Sequence, residues 1–458
     1  MSYDESDGDY SDIPSIHSKE EEEEEDYKKG GYHPVQLGDR FDNNRYIVCR
    51  KLGWGHFSTV WLALDTLTEC HVALKIVKSA QRYTDSALEE IKLLESVKLT
   101  NPACPGYRHI TQLLSYFWHQ GPYGQHVCMT FEVLGESLLS LMKRYDSKGI
   151  PQPIVKRIAR QVLQGLDYLH RECKIIHTDL KPENVLVWIP DIEDYLRKKT
   201  KDVMRGKGRR GSLLEKVDTT GMSRNRKKRL KKKLKKQQER QTMCSETIEL
   251  EGVKDRMEGL EVNYKVMRSS VLDLVGIVSE KDKERDGLGE IVVKIADLGN
   301  ACWMEGDYRH IIQTRQYRSP EVIVGARWTQ EADMWSASCM FFELLTGEFL
   351  FDPKAGSDYN KDDDHLAQIL ELLRTVPKIL INSGQFSHDF FDRSGKLKHI
   401  KNPRYRRLRD VLHDTFLMSP EDADRISAFL LPMLEMDMTR RASASQMIQN
   451  EWLKEVSM

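Results

Sequence analysis

Apolar and polar residues alternate along the first patterned part of the chain. The runs RYIVCRKLG, VWLALD and HVALKIVKS lie between Arg45 and Ser79 and are separated by turn-like stretches. Their shortness and their β-branched residues predict three strands of a meander. In the next run, SALEEIKLLESVKL, apolar residues recur with helical spacing from Leu88 to Val97. We therefore expect a helix here, with Asp85 as its N-cap.

The pattern continues, stops and then resumes. HVCMTFEVL predicts a further strand, and the residues from Val155 to His170 predict a long core helix. Beyond Pro190 no apolar periodicity is found until the run IVVKIADLG, and this distance far exceeds the roughly 12–15 residues of an ordinary loop. Residues 190–289 are therefore predicted to form an insert, and mainly helical structure is expected from 290 to 458.

Charge is distributed unevenly along the chain. The formal net charge of the 458 residues is −1, which predicts no direct nucleic-acid partner. However, Glu20–Asp26 is entirely acidic, and Arg224–Lys236 consists almost entirely of Lys and Arg. Charge runs of this kind are usually solvated and disordered. We therefore predict a disordered acidic tail over residues 1–40 and a mostly disordered basic spacer over residues 190–289.

Cysteine usage and hydropathy indicate the compartment. The chain has 8 cysteines, which are scattered and form no C-x-x-C pair. This usage is typical of free thiols in a reducing compartment. No apolar run reaches the length of about 18 residues that a membrane span needs, and the acidic first residues do not resemble a secretory signal. We expect an intracellular, soluble protein without membrane contact.

The stretch LGWGHFSTVW places Gly53 and Gly55 between two predicted strands. Glycines allow backbone N–H groups to approach phosphates closely, although a tight hairpin would have the same sequence pattern. The next strand contains Lys75 among apolar residues, where an ammonium group is costly unless it is paired. Glu90 on the following helix is the expected partner, in an arrangement that orients nucleotide phosphates.

The stretch HTDLKPEN and the later ADLG supply the remaining chemistry. Asp179 can accept the proton of an attacking hydroxyl, and Lys181 can neutralise charge on a transferring phosphoryl group. Asn184 and Asp297 can ligate Mg²⁺. In this order and spacing, these residues indicate a protein kinase. The expected fold is α+β and bilobal, with a β-rich small lobe and a mainly α-helical large lobe. Residues 41–189 and 290–458 then form one domain, because the site needs both.

The motifs resemble those of the SR-protein kinases, a branch of the CMGC group, and its yeast member in particular. The resemblance covers roughly residues 31–189 and 288–457. It is carried by GGYHPVQLGDRFDNNRYIVCRKLGWGHFSTVWLA, HTDLKPENVL, KIADLGNACW, IQTRQYRSPEV and DDDHLAQILELL. DLGNACW is the most selective, since most kinases have D-F-G at this position. The LAMMER kinases share HTDLKPEN, but their own signature is not found here.

The resemblance implies an activity, cofactors and partners. SR-protein kinases use ATP and Mg²⁺ to phosphorylate serines in the Arg-Ser-rich repeats of splicing and mRNA-handling proteins. A monomer that is both cytoplasmic and nuclear is expected. The implied nucleotide-contacting residues are Leu52, Gly53, Trp54, Gly55, His56, Phe57, Ser58, Thr59, Val60, Ala73, Lys75, Phe131, Glu132, Leu134 and Leu186.

Within that set the resemblance assigns individual positions. Val60 and Ala73 are expected above the adenine ring and Leu186 below it. Phe131 is expected at the back of the pocket. Backbone groups of the hinge segment, at Glu132 and Leu134, would then bind the base. Each of these residues also fits an ordinary place in the core.

An acidic strip predicts where an arginine-rich substrate docks. Asp364 and Glu371 are seven residues apart, so that on a helix they lie near one face. Carboxylates on one face suit bidentate pairing with guanidinium groups, and the resemblance supports this role. For the neighbouring Asp362 and Asp363, a structural role at a helix N-terminus is an equally good interpretation.

Thr178 stands where many kinases have an arginine. That arginine is a buried positive charge that requires a phosphorylated activation loop as its counter-ion. A neutral threonine has no such requirement, so we predict an enzyme that is active without activation-loop phosphorylation. Two further features are expected to be structural, namely the pair of Glu321 with Arg441, and Asp333 at the start of the central helix of the large lobe.

Several alternatives remain open from the sequence alone. The chain can be a catalytically dead scaffold that binds SR proteins, or a LAMMER-type kinase. The basic run Arg224–Lys236 can be a solvated charge run, a localisation or anchoring segment, or an RNA-binding segment, although it lacks aromatic residues for base stacking.

Overall fold

The structure is a computed structural model that describes residues 22–197, 291–306, 308, 310–401 and 403–454. The basic run Arg224–Lys236 and nearly all of the predicted spacer lie outside these ranges. The chain divides into two compact units, of which one spans Asp191–Ser270. Only residues 191–197 of that unit are described, and 192–197 are helical. The other unit holds the small lobe and the large lobe.

The small lobe is built on one antiparallel sheet of six strands in the order β1-β2-β3-β4-β6-β5. Alternation of buried and less buried residues along β4 and β5 produces this sheet. Its strands are β1 Arg40–Phe41, β2 Tyr46–Gly55, β3 Ser58–Asp65, β4 Cys70–Val77, β5 Leu113–Gly121 and β6 Gly124–Phe131. The predicted meander is therefore present.

The large lobe is mainly helical, as predicted, and contains two short ribbons. Ribbon strands are β7 Ile175–Ile176, β8 Val185–Trp188, β9 Val292–Ile295 and β10 Cys302–Trp303. The helices, with α1 in the small lobe, are α1 Gln81–Thr100, α2 Leu138–Arg144, α3 Gln152–Asp167, α4 Pro320–Ile323, α5 Glu331–Thr346, α6 Lys361–Leu373, α7 Lys378–Ser383, α8 Ser387–Phe390, α9 Leu408–Asp414, α10 Pro420–Leu430, α11 Ala444–Met447 and α12 Glu451–Lys454. No helix in the described ranges has the length and apolar character to cross a membrane.

Two predicted helix boundaries need correction. Asp85 is not the N-cap of α1, because the helix begins one turn earlier, at Gln81, after Ala80. Asp85 instead accepts a 2.8 Å hydrogen bond from the Gln81 side chain. Helix α3 ends at Asp167, and the predicted last residues belong to a π-turn over Tyr168–Cys173. Helical spacing locates a buried face well but fixes helix ends poorly.

Helix α5 lies at the centre of the large-lobe core. Every residue from Ala332 to Thr346 is buried, which explains why the sequence is apolar on all sides of the helix. The helix ends at Gly347, whose φ of +81° places it in the left-handed region. A Cβ at Gly347 would lie 1.8 Å from the carbonyl oxygen of Ser147. Only glycine therefore fits this helix end.

The predicted pair of Glu321 and Arg441 is present. Arg441 donates two hydrogen bonds to the Glu321 carboxylate, at 2.7 and 2.9 Å, and both side chains are completely buried. The bidentate geometry compensates for the cost of burying both charges. The pair joins α4, after the activation segment, to the C-terminal part of the lobe.

The structure corrects the predicted extent of the disordered acidic tail. From Glu22 onward the structure describes an ordered segment, so that the predicted disorder over residues 1–40 does not hold for residues 22–40. We call residues 22–35 the N-terminal strap. Tyr32 in the strap is almost completely buried. Glu22 forms an ion pair with Lys51 on β2. Ion pairing with the small lobe orders this acidic segment, and a count of charges along the sequence does not reveal such pairing.

His33 anchors the strap to the small lobe. Its ring lies 4.5 Å from that of His119 and 5.1 Å from that of His126. Burial, together with these two neighbouring rings, lowers the pKa of His33 to about 4. The unfolded chain, with a pKa of about 6.5, binds this proton more readily. The contribution to stability is therefore complete above about pH 6.5 and declines as pH falls toward 4.

We expect the His33→Gln variant to lose less stability than the wild type between pH 7 and pH 5. After allowance for solvent screening, the difference should be about 1 kcal/mol. Urea denaturation at both pH values measures it. His388→Gln, which changes an exposed histidine on α8, is the matched control and should behave as the wild type. An equal loss in His33→Gln and in the wild type would contradict the assignment.

Candidate active site

Lys75 on β4 lies between two carboxylates. Its Nζ is 2.8 and 2.9 Å from the two carboxylate oxygens of Glu90 on α1, and 3.3 Å from Oδ1 of Asp297. Burial disfavours the ammonium charge, but Glu90 and Asp297 outweigh burial and raise the pKa of Lys75. Lys75 in turn lowers the pKa of Asp297. These three predicted residues therefore meet, and Lys75 stays charged.

The glycine-rich turn covers this site from the small lobe. Gly53 pairs with Val60 and Gly55 with Ser58 across β2 and β3. A Cβ added at Gly53 or Gly55 would meet no protein atom within 4 Å. Packing inside the protein therefore does not require glycine at either position. The open space beside the backbone fits the phosphates of a nucleotide.

Three residues orient the carboxylate of Asp179. Its Oδ2 lies 2.7 Å from Nζ of Lys181 and 3.4 Å from Nδ2 of Asn184. Its Oδ1 accepts a 2.7 Å hydrogen bond from the hydroxyl of Thr314. Nζ of Lys181 also donates to the Thr314 hydroxyl, at 2.9 Å. The carboxylate is thus fixed at the place where a substrate hydroxyl would lose its proton.

Asp333 on α5 holds the loop that carries Asp179. Its carboxylate accepts 2.8 Å hydrogen bonds from the backbone N–H groups of His177 and Thr178 and from Nε2 of His170. Burial alone would raise the pKa of Asp333, but the hydrogen bonds and charge of His170, with the His177 N–H, lower it. The rigid central helix therefore sets the position of the loop, which confirms the structural role predicted for Asp333.

The β8–β9 ribbon brings the two predicted metal ligands to one end. Asn184 immediately precedes β8, Asp297 follows β9, and the N–H of Ala296 donates to the Asn184 carbonyl at 2.8 Å. The Asn184 amide nitrogen donates to the carbonyl of Asp179 at 2.9 Å, so the amide oxygen is the atom that remains for a cation. This oxygen and the Asp297 carboxylate are hard donors that suit Mg²⁺.

A metal at this position would need other ligands besides the protein. In the described part of the chain, no cluster of three or more His, Cys, Asp or Glu side chains has the geometry to hold a metal ion. Mg²⁺ typically takes one or two protein ligands and completes its octahedron with phosphate and water oxygens. The donor set of Asn184 and Asp297 therefore fits a metal that binds together with a nucleotide.

The hinge carboxylate is not available to a ligand. Nζ of Lys294 on β9 lies 2.6 and 2.7 Å from the two carboxylate oxygens of Glu132, and the N–H of Gln112 donates to Oε1 at 3.1 Å. Only the main chain at Glu132 is therefore free of this network, which agrees with the predicted backbone contacts to the base. The hinge is also fixed by a 2.7 Å bond from Gly135 N–H to the Val187 carbonyl.

Three of the apolar residues predicted around the base define what we call the adenine slot. Val60 on β3, Ala73 on β4 and Leu186 on β8 are each partly exposed, although most of their neighbours are buried. Ala73 pairs with Phe131 across β4 and β6. Of the remaining predicted contacts, Leu134 lies in the hinge, Leu52 and Trp54 on β2, His56 and Phe57 in the turn, and Ser58 on β3.

The side chain of Thr59 has a different role from the predicted one. Thr59 is completely buried, and its hydroxyl accepts a 3.0 Å hydrogen bond from Nε1 of Trp61. Thr59 and Trp61 share one face of β3, whereas Val60 lies on the other. Val60 is on the slot side, so the Thr59 side chain belongs to the core. Only its backbone remains for a nucleotide.

Neutral hydrogen bonds hold part of the activation segment. The Thr178 hydroxyl donates to the Asn300 carbonyl at 2.7 Å. The buried Gln313 side chain donates to Ser336 and to the Ala332 carbonyl, and accepts from the backbone N–H of Ser319. These contacts join only neutral groups, and one of them is made by Thr178, at the position where many kinases have an arginine.

The predicted docking residues lie together on α6, and each has one oxygen bound. Oδ2 of Asp364 accepts the N–H of Lys354 at 2.8 Å, and Oε1 of Glu371 accepts the N–H of Arg404 at 2.8 Å. Both side chains are partly exposed. Asp363 instead belongs to a capping box and is buried, so for this residue the structural interpretation applies.

Asp362 forms an ion pair with Arg315 of the activation segment, at 2.6 Å.

Four further residues that support the site were not predicted from the sequence. These residues, namely Thr314, Gln313, Lys294 and Tyr32, contact it only because the chain returns. Thr314 is 133 positions from Lys181, and Lys294 is 162 from Glu132. Hydrophobic periodicity carries no signal of such contacts.

Comparison with known proteins identifies the family. The family model described as Protein kinase domain matches residues 46–193 and 277–453, and the gap between the two stretches falls within the predicted spacer. Protein kinase dsk1 of Schizosaccharomyces pombe is 44% identical, over 95% of this chain and 86% of that protein. Serine/threonine-protein kinase SRPK of Physarum polycephalum is 40% identical, over 97% and 94%.

A human relative gives the same result. SRSF protein kinase 3 of Homo sapiens is 38% identical, over 95% of this chain and 90% of that protein. The matches span both lobes, so they include every residue pair of the site described above. With Lys75, Glu90 and Asp297 in contact, the bilobal kinase fold predicted from the sequence is confirmed. The chain belongs to the SR-protein kinase family and is a serine/threonine protein kinase.

Proposed function

We propose that this kinase transfers the γ-phosphoryl group of ATP, with Mg²⁺, to serines of Arg-Ser-rich proteins that act in splicing and mRNA handling. The observation that carries the proposal is the Lys75 ammonium held between Glu90 and Asp297, in the cleft that also contains Asp179. A hydrogen bond from His177 to the Ala296 carbonyl, at 3.1 Å, joins the loop of Asp179 to the strand before Asp297. The names of the relatives support the substrate class.

Each residue has a defined task in this mechanism. Lys75 would pair with the α- and β-phosphates, while Asn184 and Asp297 would hold the metal, which neutralises charge on the phosphates. Asp179 accepts the proton of the serine hydroxyl. Lys181, at 2.7 Å from Asp179, adds a positive charge beside the transferring group. The closed network around Asp179 fixes its direction, so little reorganisation is needed at the moment of transfer.

Substrate choice follows from the electrostatics of α6. Asp364 and Glu371 each use one carboxylate oxygen to fix the adjoining backbone. That bond holds the side chain in place, while the carboxylate keeps its negative charge. Arginine side chains spaced along an extended peptide can then pair with preorganised anions, at a smaller entropic cost than with mobile ones. This arrangement favours an arginine-rich substrate over an acidic one.

The alternatives have less support. A catalytically dead scaffold would not need Asp179, Lys181 and Thr314 in one hydrogen-bonded network. The relatives named above include SR-protein kinases, which favours this branch over the LAMMER kinases. The RNA-binding alternative concerns residues 224–236, outside the described part of the chain, and it has no observation in its favour.

Phosphorylation of an Arg-Ser peptide with labelled ATP tests the proposed activity. The wild type should phosphorylate the peptide, and Asp179→Asn should lower kcat by about a hundredfold to ten-thousandfold, since a positioned base contributes this much. Glu183→Gln changes a carboxylate near Asp179 to which we assign no proton transfer. This variant should retain most activity. Wild-type protein that binds the peptide but transfers no phosphate would instead support the scaffold.

Activity should not depend on phosphorylation of the activation segment. Protein made in bacteria and treated with phosphatase should have the same kcat as untreated protein. Gln313→Ala should lower kcat about tenfold, because it leaves buried backbone groups near Ser319 without partners, at a cost of about 1–3 kcal/mol each. Gln449→Ala, an exposed site, is the matched control. A requirement for phosphorylation before any activity would refute this prediction.

Removing charge from the docking face should weaken peptide binding. Asp364→Asn combined with Glu371→Gln retains the oxygen that each side chain offers to the backbone but removes both charges. We expect about tenfold weaker binding of an Arg-Ser peptide at ~50 mM salt and a smaller effect at ~500 mM, because salt screens exposed charges. Calorimetry measures both affinities. The paired change Glu421→Gln and Glu451→Gln, at exposed carboxylates elsewhere, should have no effect. Equal affinities at low salt would exclude the docking role.

A further inference from the structure

The N-terminal strap contacts the outer side of the glycine-rich turn. The hydroxyl of Tyr32 donates a 2.6 Å hydrogen bond to the carbonyl oxygen of Gly55. Tyr32 is only 1% exposed, so water does not compete for this bond. Gly55 is one of the two glycines that border the open space for phosphates. A strap residue is therefore bonded directly to the backbone that covers the nucleotide site.

The geometry of a peptide unit transmits this contact to the opposite side. The Gly55 carbonyl and the His56 N–H belong to one planar trans peptide, in which the two groups point in opposite directions; none of the described peptide bonds is cis. Holding the carbonyl toward Tyr32 therefore turns the His56 N–H away from the strap. This direction is the side on which the phosphates would lie.

The tyrosine is itself firmly placed. Nζ of Lys78 lies 4.2 Å from the centre of the Tyr32 ring, within the range of a cation–π contact. The backbone N–H groups of Ser79 and Ala80 donate to the carbonyls of Gly31 and Gly30, at 3.1 and 3.0 Å. The strap is thus bonded to the segment that links β4 to α1.

The glycines of the strap make this turn possible. Gly30 has a φ of +84°, and a Cβ at Gly31 would lie 1.9 Å from the carbonyl oxygen of Asp26. Neither position therefore accepts a larger residue without a shift of the backbone. The sequence GGY thus specifies a turn that delivers Tyr32 to the glycine-rich loop.

Lys78 also fixes a second carbonyl of the same turn, that of Phe57. Its backbone N–H donates to the Phe57 carbonyl at 2.9 Å, and its side chain is buried beside the strap. Tyr83 on α1 packs against Phe57, with ring centres 5.6 Å apart. The carbonyls of Gly55 and Phe57 are therefore both held from outside the nucleotide cleft, and His56 lies between them.

We propose that Tyr32 is a positioning residue for the phosphates of the nucleotide, acting through the Gly55–His56 peptide. The inference rests on the proposed binding of ATP at this site and extends it to a residue outside the kinase cleft. Tyr32 sets the direction of the His56 N–H before the nucleotide arrives. The adenine slot, which lies on Val60, Ala73 and Leu186, does not depend on this bond.

The test compares nucleotides that differ only in their phosphates. In Tyr32→Phe the ring and its contact with Lys78 remain, and only the hydrogen bond to Gly55 is lost. Loss of one hydrogen bond should weaken the binding of ATP and of ADP about threefold to tenfold. Adenosine, which has no phosphates, should bind as it does to the wild type. Tyr116→Phe, at an exposed tyrosine of β5, is the matched control and should leave all three affinities unchanged.

Steady-state kinetics provide the second measurement. The KM for ATP should rise in Tyr32→Phe while the KM for the peptide stays the same and kcat changes less than about twofold. Equal weakening of adenosine and ATP would overturn the proposal, since it would indicate damage to the whole pocket. Unchanged ATP affinity would overturn it as well. If wild-type protein bound no ATP, the proposed function would fail, and that result is distinct from either of these.

Discussion

The buried ammonium of Lys75 is the constraint on which the site depends. An unpaired charge in this position would be very costly, so the small lobe can close only where Glu90 and Asp297 both reach Lys75. Glu90 belongs to α1, whereas Asp297 belongs to the part of the chain that follows the spacer. One ion-paired cluster therefore ties together a strand, a helix and two distant halves of the sequence.

The large lobe meets a similar requirement with α5. This helix is buried on all sides, and Asp333 in its first turn accepts hydrogen bonds from two backbone N–H groups of the catalytic loop. Because α5 cannot shift without opening the core, it holds the loop of Asp179 in a fixed position. Thr178 and Gln313 then hold the activation segment with neutral hydrogen bonds. These hydrogen bonds join only neutral groups.

The N-terminal strap is a third source of rigidity, although the charge pattern predicts that this segment is a solvated tail. Its acidic residues are ordered because Lys51 and Lys78 lie where Glu22 and Asp26 can pair with them. The pairing places Tyr32 against Gly55. The nucleotide cleft is therefore shaped from outside, by the strap, as well as from inside, by its own residues. The proposed docking residues Asp364 and Glu371 on α6 are likewise held by backbone groups, each through one carboxylate oxygen.

The sequence by itself determined strands β2, β3, β4 and β6, helices α1, α3 and α5, the interruption after Pro190 and the identity of Lys75, Glu90, Asp179, Asn184 and Asp297. These follow from local periodicity and from short motifs, whose residues must be close in sequence. Tertiary structure alone decided the start of α1, the order of the strap, the buried side of Thr59 and the roles of Thr314, Lys294 and Tyr32. Each of these depends on a partner far along the chain, and neither periodicity nor composition records which distant groups will meet. A buried charge or hydroxyl acquires its function only when folding brings its partner to it.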